Sequence, residues 1–195
     1  MVRYYSDTLL KGLSRLYFQA DPSKFPEGVR LLEKAVEAEE PHAFYFLARC
    51  YGWGDGNVKD DDKKARQLSQ RVIELGSSLC VLGAERIDIL KGNIKNAMTE
   101  TLEDAFHNVL DMANDGEPMA QYAIGLFYFW GDMFLNFQKP LKENFSKCEK
   151  ENAAEALKWF RRSSELGCIP SFRNAFNSVR NGVNGVTKNL EEALR

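Results

Sequence analysis

The acidic residues at 55–62 are the first that could do chemistry, because carboxylates close together in one loop can bind Ca²⁺. The stretch "DGNVKDDDKKAR" begins at Asp55. A calcium loop of the EF-hand type needs glycine at its sixth position and glutamate at its twelfth. Here those positions hold Asp60 and Arg66. The pattern therefore predicts solvated and helix-capping carboxylates rather than a metal site.

Alternating glycines precede this run and resemble a phosphate-binding loop. Gly52, Gly54 and Gly56 are spaced two apart, but no Gly-Lys-Ser/Thr follows them. They also follow a predicted helix C-terminus, whose dipole repels anions. We therefore interpret them as turn residues.

The cysteines and histidines give no metal-ligand or nucleophile pattern. The chain has no C-x-x-C pair, and neither His42 nor His107 stands at a metal-ligand spacing from a cysteine. We expect reduced, mostly buried thiols that pack as small hydrophobic side chains, and His107 is predicted to be a solvated surface residue. Because no acid–base pair, nucleophile motif or metal motif is found, the sequence predicts no enzyme activity, no cofactor and no metal. The cysteines are Cys50, Cys80, Cys148 and Cys168.

The amino-acid composition limits the remaining functional classes and the kinds of partner. The 195 residues are 44% hydrophobic and 28% charged, which is typical of a globular protein with a full core. The formal net charge of −2 argues against a nucleic-acid partner. No apolar run approaches the length of a membrane span, and the first residues lack the apolar stretch of a signal peptide. We therefore expect a cytoplasmic protein with no membrane partner.

The elements that position these residues come from an internal repeat. "HAFYFLARCYGWGDG" (42–56) aligns with "MAQYAIGLFYFWGDM" (119–133). Small or apolar residues recur every four positions in both, which predicts a helix with one buried face that ends at Gly54 or Gly131. We call this helix B of the repeat.

A second amphipathic pattern, helix A, precedes each helix B. It begins with a small residue and closes eleven positions later. The opening residues are Gly28, Ala65, Ala105 and Ala156, and the closing residues are Glu39, Gly76, Gly116 and Gly167. Helix N-caps are predicted four residues before an opening alanine, at Asp61, Thr101, Asn152 and Asn189. In the first copy the equivalent position holds Lys24, which is a poor capping residue, so Ser23 or Pro26 is the alternative start of that helix.

The sequence thus predicts an all-α fold, an α/α superhelical solenoid of about four to five helix-pair repeats in a single domain, 1–195. Residues 1–26 form an N-terminal capping helix and loop with Leu9, Leu13 and Tyr17 on one face, and 27–195 hold the repeats. The second helix B (80–93) is degenerate, and an insertion lies near 132–151. The segment 189–195 begins a further helix A and stops within two turns, so we expect a longer protein, a partner at that end, or a short capping helix.

The repeat resembles a known family. The string Ala-x-x-Trp-(x)7-Gly at Ala156, Trp159 and Gly167 is similar to the helix A signature of the Sel-one-like repeat (SLR), a relative of the tetratricopeptide repeat. Its helix B signature is filled by Gly116, Ala120, Tyr122, Gly125, Tyr128 and Gly131. The resemblance implies a right-handed α/α superhelix that holds proteins together, and it implies no single activity.

Candidate binding residues lie at positions +2, +6 and +9 from each opening residue, on one polar face of helix A. In a stacked solenoid these positions form a charged ladder that could hold an extended peptide. The alternative is a solvated face with weak ion pairs. The predicted partner-binding residues at +2 and +6 are Arg30, Lys34, Gln67, Arg71, His107, Asp111, Lys158 and Arg162. In the insertion, Phe134 and Phe137 either pack on their own repeat or form a contact patch.

The leading functional hypothesis is a non-catalytic scaffold or adaptor that binds a protein or peptide partner in a concave groove lined by helix A. The alternative is an enzyme or small-ligand regulatory module with no recognisable motif. Self-association through the solenoid ends is a further option.

Overall fold

A computed structural model describes residues 4–75, 78–79, 99–130, 145–182, 186 and 188–189. Within those ranges the chain forms eight α-helices and no β-strand. They are α1 (Asp7–Leu13), α2 (Phe25–Glu37), α3 (Pro41–Trp53), α4 (Asp62–Leu75), α5 (Thr99–Asn114), α6 (Pro118–Trp130), α7 (Phe145–Glu165) and α8 (Ile169–Asn181). The prediction of an all-α fold built from helix pairs is confirmed.

The chain divides into two compact units, Met1–Asn108 and Val109–Arg195, with the boundary inside α5. In the first unit α1 packs on α2, α2 on α3 and α3 on α4. In the second unit α6 packs on α7 and α7 on α8. The assignment of 1–195 to a single domain stays a prediction.

Both ends of the repeat lie where the sequence places them. The opening residues Gly28, Ala65, Ala105 and Ala156 are all buried on their helices. Three closing residues have a positive φ, at 55° for Glu39, 92° for Gly116 and 90° for Gly167. At the three described closing positions the alignment thus matches equivalent backbone conformations, although one of them carries glutamate. Gly76 and the second helix B (80–93) fall outside the described residues.

The helix starts are only partly as predicted. Asp61 caps α4, since its carboxylate accepts a hydrogen bond from the backbone N–H of Lys64 at 2.9 Å. Lys24 precedes α2 and makes no side-chain capping bond. The predicted caps Thr101 and Asn152 are wrong, because α5 begins at Thr99 and α7 at Phe145. Neither upstream segment contains a proline or glycine near the predicted cap that would stop the helix from extending.

The early start of α7 also shortens the insertion predicted near 132–151. Its last residues, 145–151, are the first two turns of α7. The remainder, with Phe134 and Phe137, falls outside the described residues. The predicted aromatic contact patch there stays a prediction.

Each unit has an aromatic centre. In the first, the fully buried Phe46 meets Tyr5, Tyr17 and Tyr45, with ring centroids 6.1, 6.0 and 5.1 Å away. The N-terminal segment supplies two of these rings. Tyr5 precedes α1, and Tyr17 lies on the π-helical turn, Ser14–Phe18, that continues α1. The predicted face of this segment, Leu9, Leu13 and Tyr17, is buried as expected.

The centre of the second unit is Phe160 on α7, which is fully buried. Its ring lies 6.2 Å from the ring of Tyr122 and 6.0 Å from that of Phe129, both on α6. Gly125 stands between these two residues, and a Cβ there would be only 2.6 Å from the Phe160 ring. The Gly125 of the family signature therefore makes room for an aromatic ring of the next helix A.

Across the described helices, none combines the length and the apolar character that crossing a bilayer requires.

Candidate partner-binding surface

The polar ladder predicted on helix A lies on the surface in every copy. All eight residues are exposed, whereas the opening residues on the opposite face of the same helices are buried. They are Arg30 and Lys34 on α2, Gln67 and Arg71 on α4, His107 and Asp111 on α5, and Lys158 and Arg162 on α7. Each pair stands one helical turn apart, so each helix presents two neighbouring polar side chains.

Some ladder residues already contact their own unit. Arg71 pairs with Glu39 at 2.7 Å, which links α4 to the turn after α2. Lys158 pairs with Glu155 at 2.8 Å within α7. Because both pairs are exposed, each contributes only about 0.2–1 kcal/mol to stability. These two contacts match the alternative interpretation, a solvated face with weak ion pairs.

Arg162 makes a different kind of contact. Its guanidinium lies over the ring of the buried Trp159, 4.4 Å from the ring centroid. A cation over an indole ring is attracted by the π electrons, and the arginine also shields the ring from water. Arg162 therefore covers the tryptophan of the helix A signature as well as presenting charge.

An open pocket of about 670 Å³, which the sequence did not reveal, lies beside the ladder residue Lys34. It is lined by the segment Tyr4–Thr8 and by the end of α2 with Glu40. Ser6 closes one side, because its backbone N–H donates to the Glu40 carboxylate at 2.9 Å and its hydroxyl donates to the other oxygen. The only signal in the sequence is the string "YYSDT" (4–8), which runs into the first residues of α1.

The acidic loop after α3 has a structural role. Asp55 accepts a hydrogen bond from the Tyr17 hydroxyl at 2.7 Å and pairs with Arg49 at 2.9 Å. Burial, followed by the nearby Asp55 charge, raises the pKa of Tyr17 well above its ordinary value, so the phenol keeps its proton. The cluster ties the N-terminal segment to the loop.

A second polar cluster joins three helices. The Lys64 ammonium on α4 donates to the Tyr51 hydroxyl on α3, which donates to Glu33 on α2 at 3.1 Å. The hydrogen bond to Tyr51 is the main reason that the pKa of Lys64 is raised, so the lysine stays charged. Tyr51 is half-buried and joins the other two residues of this cluster.

The groups with the greatest intrinsic reactivity are protected. Cys50 and Cys168 are free thiols with no solvent exposure. Burial strongly raises the pKa of Cys50, which keeps the sulfur in its unreactive thiol form.

The two histidines differ in their surroundings. Burial lowers the pKa of His42. His107 is exposed and touches the Phe106 ring. Over the ranges that the structure covers, no three His, Cys, Asp or Glu side chains converge as metal ligands would.

Comparison with known proteins identifies the repeat. A family model described as "Sel1 repeat" matches residues 41–77, 118–139, 145–168 and 179–195, just over half of the chain. These stretches include all of α3, α4, α6 and α7 and the end of α8. No curated protein sequence matches the chain.

Two solved structures are similar at low identity. The first is a Sel1 repeat protein from Oxalobacter formigenes, at 18% identity and a TM-score of 0.39, with 96% of this chain and 83% of that one covered. The second is a protective antigen present in uropathogenic Escherichia coli strains that displays an SLR fold, at 20% identity and a TM-score of 0.32. That match covers 85% of this chain and 39% of the antigen.

The family model matches α3, α4, α6 and α7, which are among the helices in which the sequence showed its repeat, so the resemblance to Sel-one-like repeats is confirmed. The chain belongs to the Sel1 repeat family.

Proposed function

We propose that the protein is a non-catalytic scaffold or adaptor of the cytoplasm that binds a protein or peptide partner along the polar face of its A helices. Sel1 repeat proteins are generally protein-interaction modules. The observation that carries the proposal is that each described helix A buries its opening residue and exposes both of its ladder residues. A repeated row of donors and acceptors on rigid helices can bind an extended chain with little loss of entropy.

The state of the reactive groups supports a role without catalysis. The buried tyrosine and cysteine discussed above both hold their protons, and the acidic loop is engaged in packing contacts. The free thiols of Cys50 and Cys168 suit a reducing compartment such as the cytoplasm.

A small-ligand regulatory module is the second candidate, and the pocket beside Lys34 favours it. The pocket has a volume that suits a small molecule, and Lys34 and Glu40 supply opposite charges at its edge. Lys34 would take part in either function, so the test must separate the ladder from the pocket.

The test is affinity capture from a lysate of the source cell with the intact chain as bait. The first variant, Gln67→Glu with Lys158→Glu, changes the charge of two ladder residues that do not line the pocket. A second variant, Ser6→Ala with Glu40→Gln, changes the pocket and leaves every ladder residue in place. The control, Lys59→Glu with Lys63→Glu, makes similar charge changes at exposed residues outside the ladder.

If the ladder binds the partner, proteins captured by the wild-type and control chains will be lost from the first variant. Loss only from the second variant would assign the binding to the pocket. Capture that survives both changes would show that the ladder is a solvated face and would refute the proposal.

A further inference from the structure

Glu39 is a strained residue at a position where the other described copies of the repeat carry glycine. Its φ is 55°, and the equivalent Gly116 and Gly167 have φ values of 92° and 90°. The backbone N–H of each donates to the carbonyl three residues earlier, at 2.9, 3.1 and 2.9 Å. Because the turn has the same hydrogen bond in all three copies, glycine would serve at residue 39 as it does in the others. The backbone therefore gives no reason for a glutamate there.

The side chain of Glu39 contacts the A helix of the next repeat. Its carboxylate accepts a hydrogen bond from the Arg71 guanidinium on α4 at 2.7 Å, and the two side chains are 65% and 46% exposed. An exposed ion pair contributes less to stability than a left-handed conformation costs a residue with a side chain. Stability therefore does not account for the glutamate. Residues held in such conformations cluster at functional sites, so the contact with Arg71 points to a role in binding.

Arg71 belongs to the polar ladder, at position +6 of α4. The residues at this position of α2 and α7 are also cations, Lys34 and Arg162, and no carboxylate of a described residue pairs with either. The ladder of the first unit has three cations and one glutamine at positions +2 and +6, namely Arg30, Lys34, Arg71 and Gln67. Such a row attracts acidic segments. At Arg71, a carboxylate of the chain itself already takes the place that an acidic ligand would use.

We propose that the ladder of the first unit binds an extended acidic segment of another protein, and that Glu39 competes with this segment by covering Arg71 until a carboxylate of the segment replaces it. The inference rests on the proposed function, and it adds the charge of the partner and an internal limit on the affinity. Since one exposed ion pair of Arg71 replaces another, the exchange by itself gains little. Net attraction then comes from Arg30 and Lys34, and Glu39 keeps the binding weak and reversible.

The test measures binding of a labelled synthetic peptide to the full chain by fluorescence anisotropy, at about 0.15 M salt, where distant charges are screened. Glutamate and serine alternate over about 12 residues of the peptide, so an extended chain holds its carboxylates on one side about 7 Å apart. A second peptide has glutamine in place of glutamate. The variants are Glu39→Gln, Arg71→Gln and the two changes combined.

Three further variants serve as controls, and circular dichroism checks that every variant remains folded. Glu37→Gln removes an exposed carboxylate at position +9 of α2 that pairs with no described residue. It therefore reports general repulsion of the peptide without any competition for Arg71. Lys59→Gln removes an exposed cation in the loop before α4, and Arg30→Gln removes a ladder cation that does not line the pocket.

The expected result is that Glu39→Gln binds the glutamate peptide about two- to fivefold more tightly than wild type, because a competitor with the strength of one surface ion pair is lost. In the Arg71→Gln background, the same substitution should do no more than Glu37→Gln does, since only general repulsion is removed. Arg71→Gln alone should stay within about twofold of wild type, because the wild-type chain only exchanges one pair for another. Arg30→Gln should bind at least about twofold more weakly, Lys59→Gln should bind as wild type does, and the glutamine peptide should bind more weakly than the glutamate peptide.

Absence of binding of the glutamate peptide to wild type up to about 1 mM would overturn the proposal. An equal gain from Glu39→Gln with and without Arg71, or an equal gain from Glu37→Gln, would also overturn it, because the effect would then be one of net charge.

The capture experiment described above separates this proposal from the proposed function. If lysate proteins are lost from the Gln67→Glu, Lys158→Glu chain while Glu39→Gln leaves peptide binding unchanged, the ladder binds a partner and Glu39 does not compete with it. That result would overturn the proposal made here and leave the proposed function standing.

Discussion

The close approach of α6 to α7 at Gly125 gives the sharpest prediction. Replacing Gly125 with alanine would place a Cβ 2.6 Å from two carbon atoms of the Phe160 ring. Carbon atoms prefer separations of about 3.5–4.0 Å, so the ring or the helices must move by roughly 1 Å. Phe160 is fully buried and its ring cannot swing into solvent.

The magnitude follows from two opposing terms. Overpacking a core costs about 1–3 kcal/mol. Alanine is a better helix former than glycine, which returns about 0.5–1 kcal/mol. We therefore expect Gly125→Ala to lower the free energy of unfolding by about 1 kcal/mol, and by about 2.5 kcal/mol at most, which for a chain of this size lowers Tm by up to about 10 °C.

The assay is urea and thermal unfolding followed by circular dichroism, in a double-mutant cycle with Phe160→Leu. Leucine lacks the Cε1 atom, one of the two ring atoms that the added Cβ would meet at 2.6 Å, and its δ carbons can rotate away, so Gly125→Ala should cost less in that background. The two changes should couple by about 1 kcal/mol or more. The control is Gly116→Ala. Its added Cβ meets no atom within 4 Å, and its φ of 92° makes alanine costly for backbone reasons alone, so its effect should be independent of Phe160.

Two results would refute the reasoning. One is a stabilised Gly125→Ala protein, which would mean that helix propensity outweighs the contact. The other is the same cost in the wild-type and Phe160→Leu backgrounds, which would mean that the ring is not the obstacle.

Four further outcomes are expected. Asp61→Ala should lower the free energy of unfolding by about 1 kcal/mol, because α4 loses its N-cap. The control Asp60→Ala should lower it less. Equal urea midpoints for the two variants would contradict the capping role of Asp61. Glu39→Gly should stabilise the chain by about 0.5 kcal/mol, because glycine adopts the positive φ of this position without strain and this gain outweighs the loss of the exposed ion pair with Arg71. A loss of stability would show that the ion pair dominates. Burial lowers the pKa of His42 in the folded protein, so the unfolded chain binds the imidazole proton more readily. The free energy of unfolding should therefore fall as the pH drops through about 6.5. His42→Gln should reduce that fall, as measured by urea titrations at several pH values. Cys50 should resist iodoacetamide in the folded protein and react after unfolding, as read by peptide mass spectrometry; native labelling would contradict its burial.

The sequence by itself determined the repeat. With the repeat it determined whether most described helices are helix A or helix B, and which face of each is buried. The recurring small residues, such as Ala65 and Ala156, mark the buried face because helical side chains return to one face every three to four positions. The closing positions also follow from the sequence, since a helix that must turn sharply favours glycine. The alignment placed Glu39 at the same position as Gly116 and Gly167, and the structure then showed a positive φ at all three.

Helix starts were less predictable, because a good capping residue does not stop a helix when the preceding residues also favour it. Asn152 lies inside α7 for that reason, and so two turns of the predicted insertion are helical. By contrast, Asp61 caps its helix as predicted.

Only the tertiary structure decided which distant residues meet. The bonds from Asp55 to Tyr17, the ring of Phe160 against Gly125 and the exposed Phe172 all depend on which helix packs next to which. Periodicity shows which side of a helix is buried, because that information lies within a few residues of chain. It does not show what covers that side, because the covering atoms belong to residues far away in the sequence and their positions are set by packing.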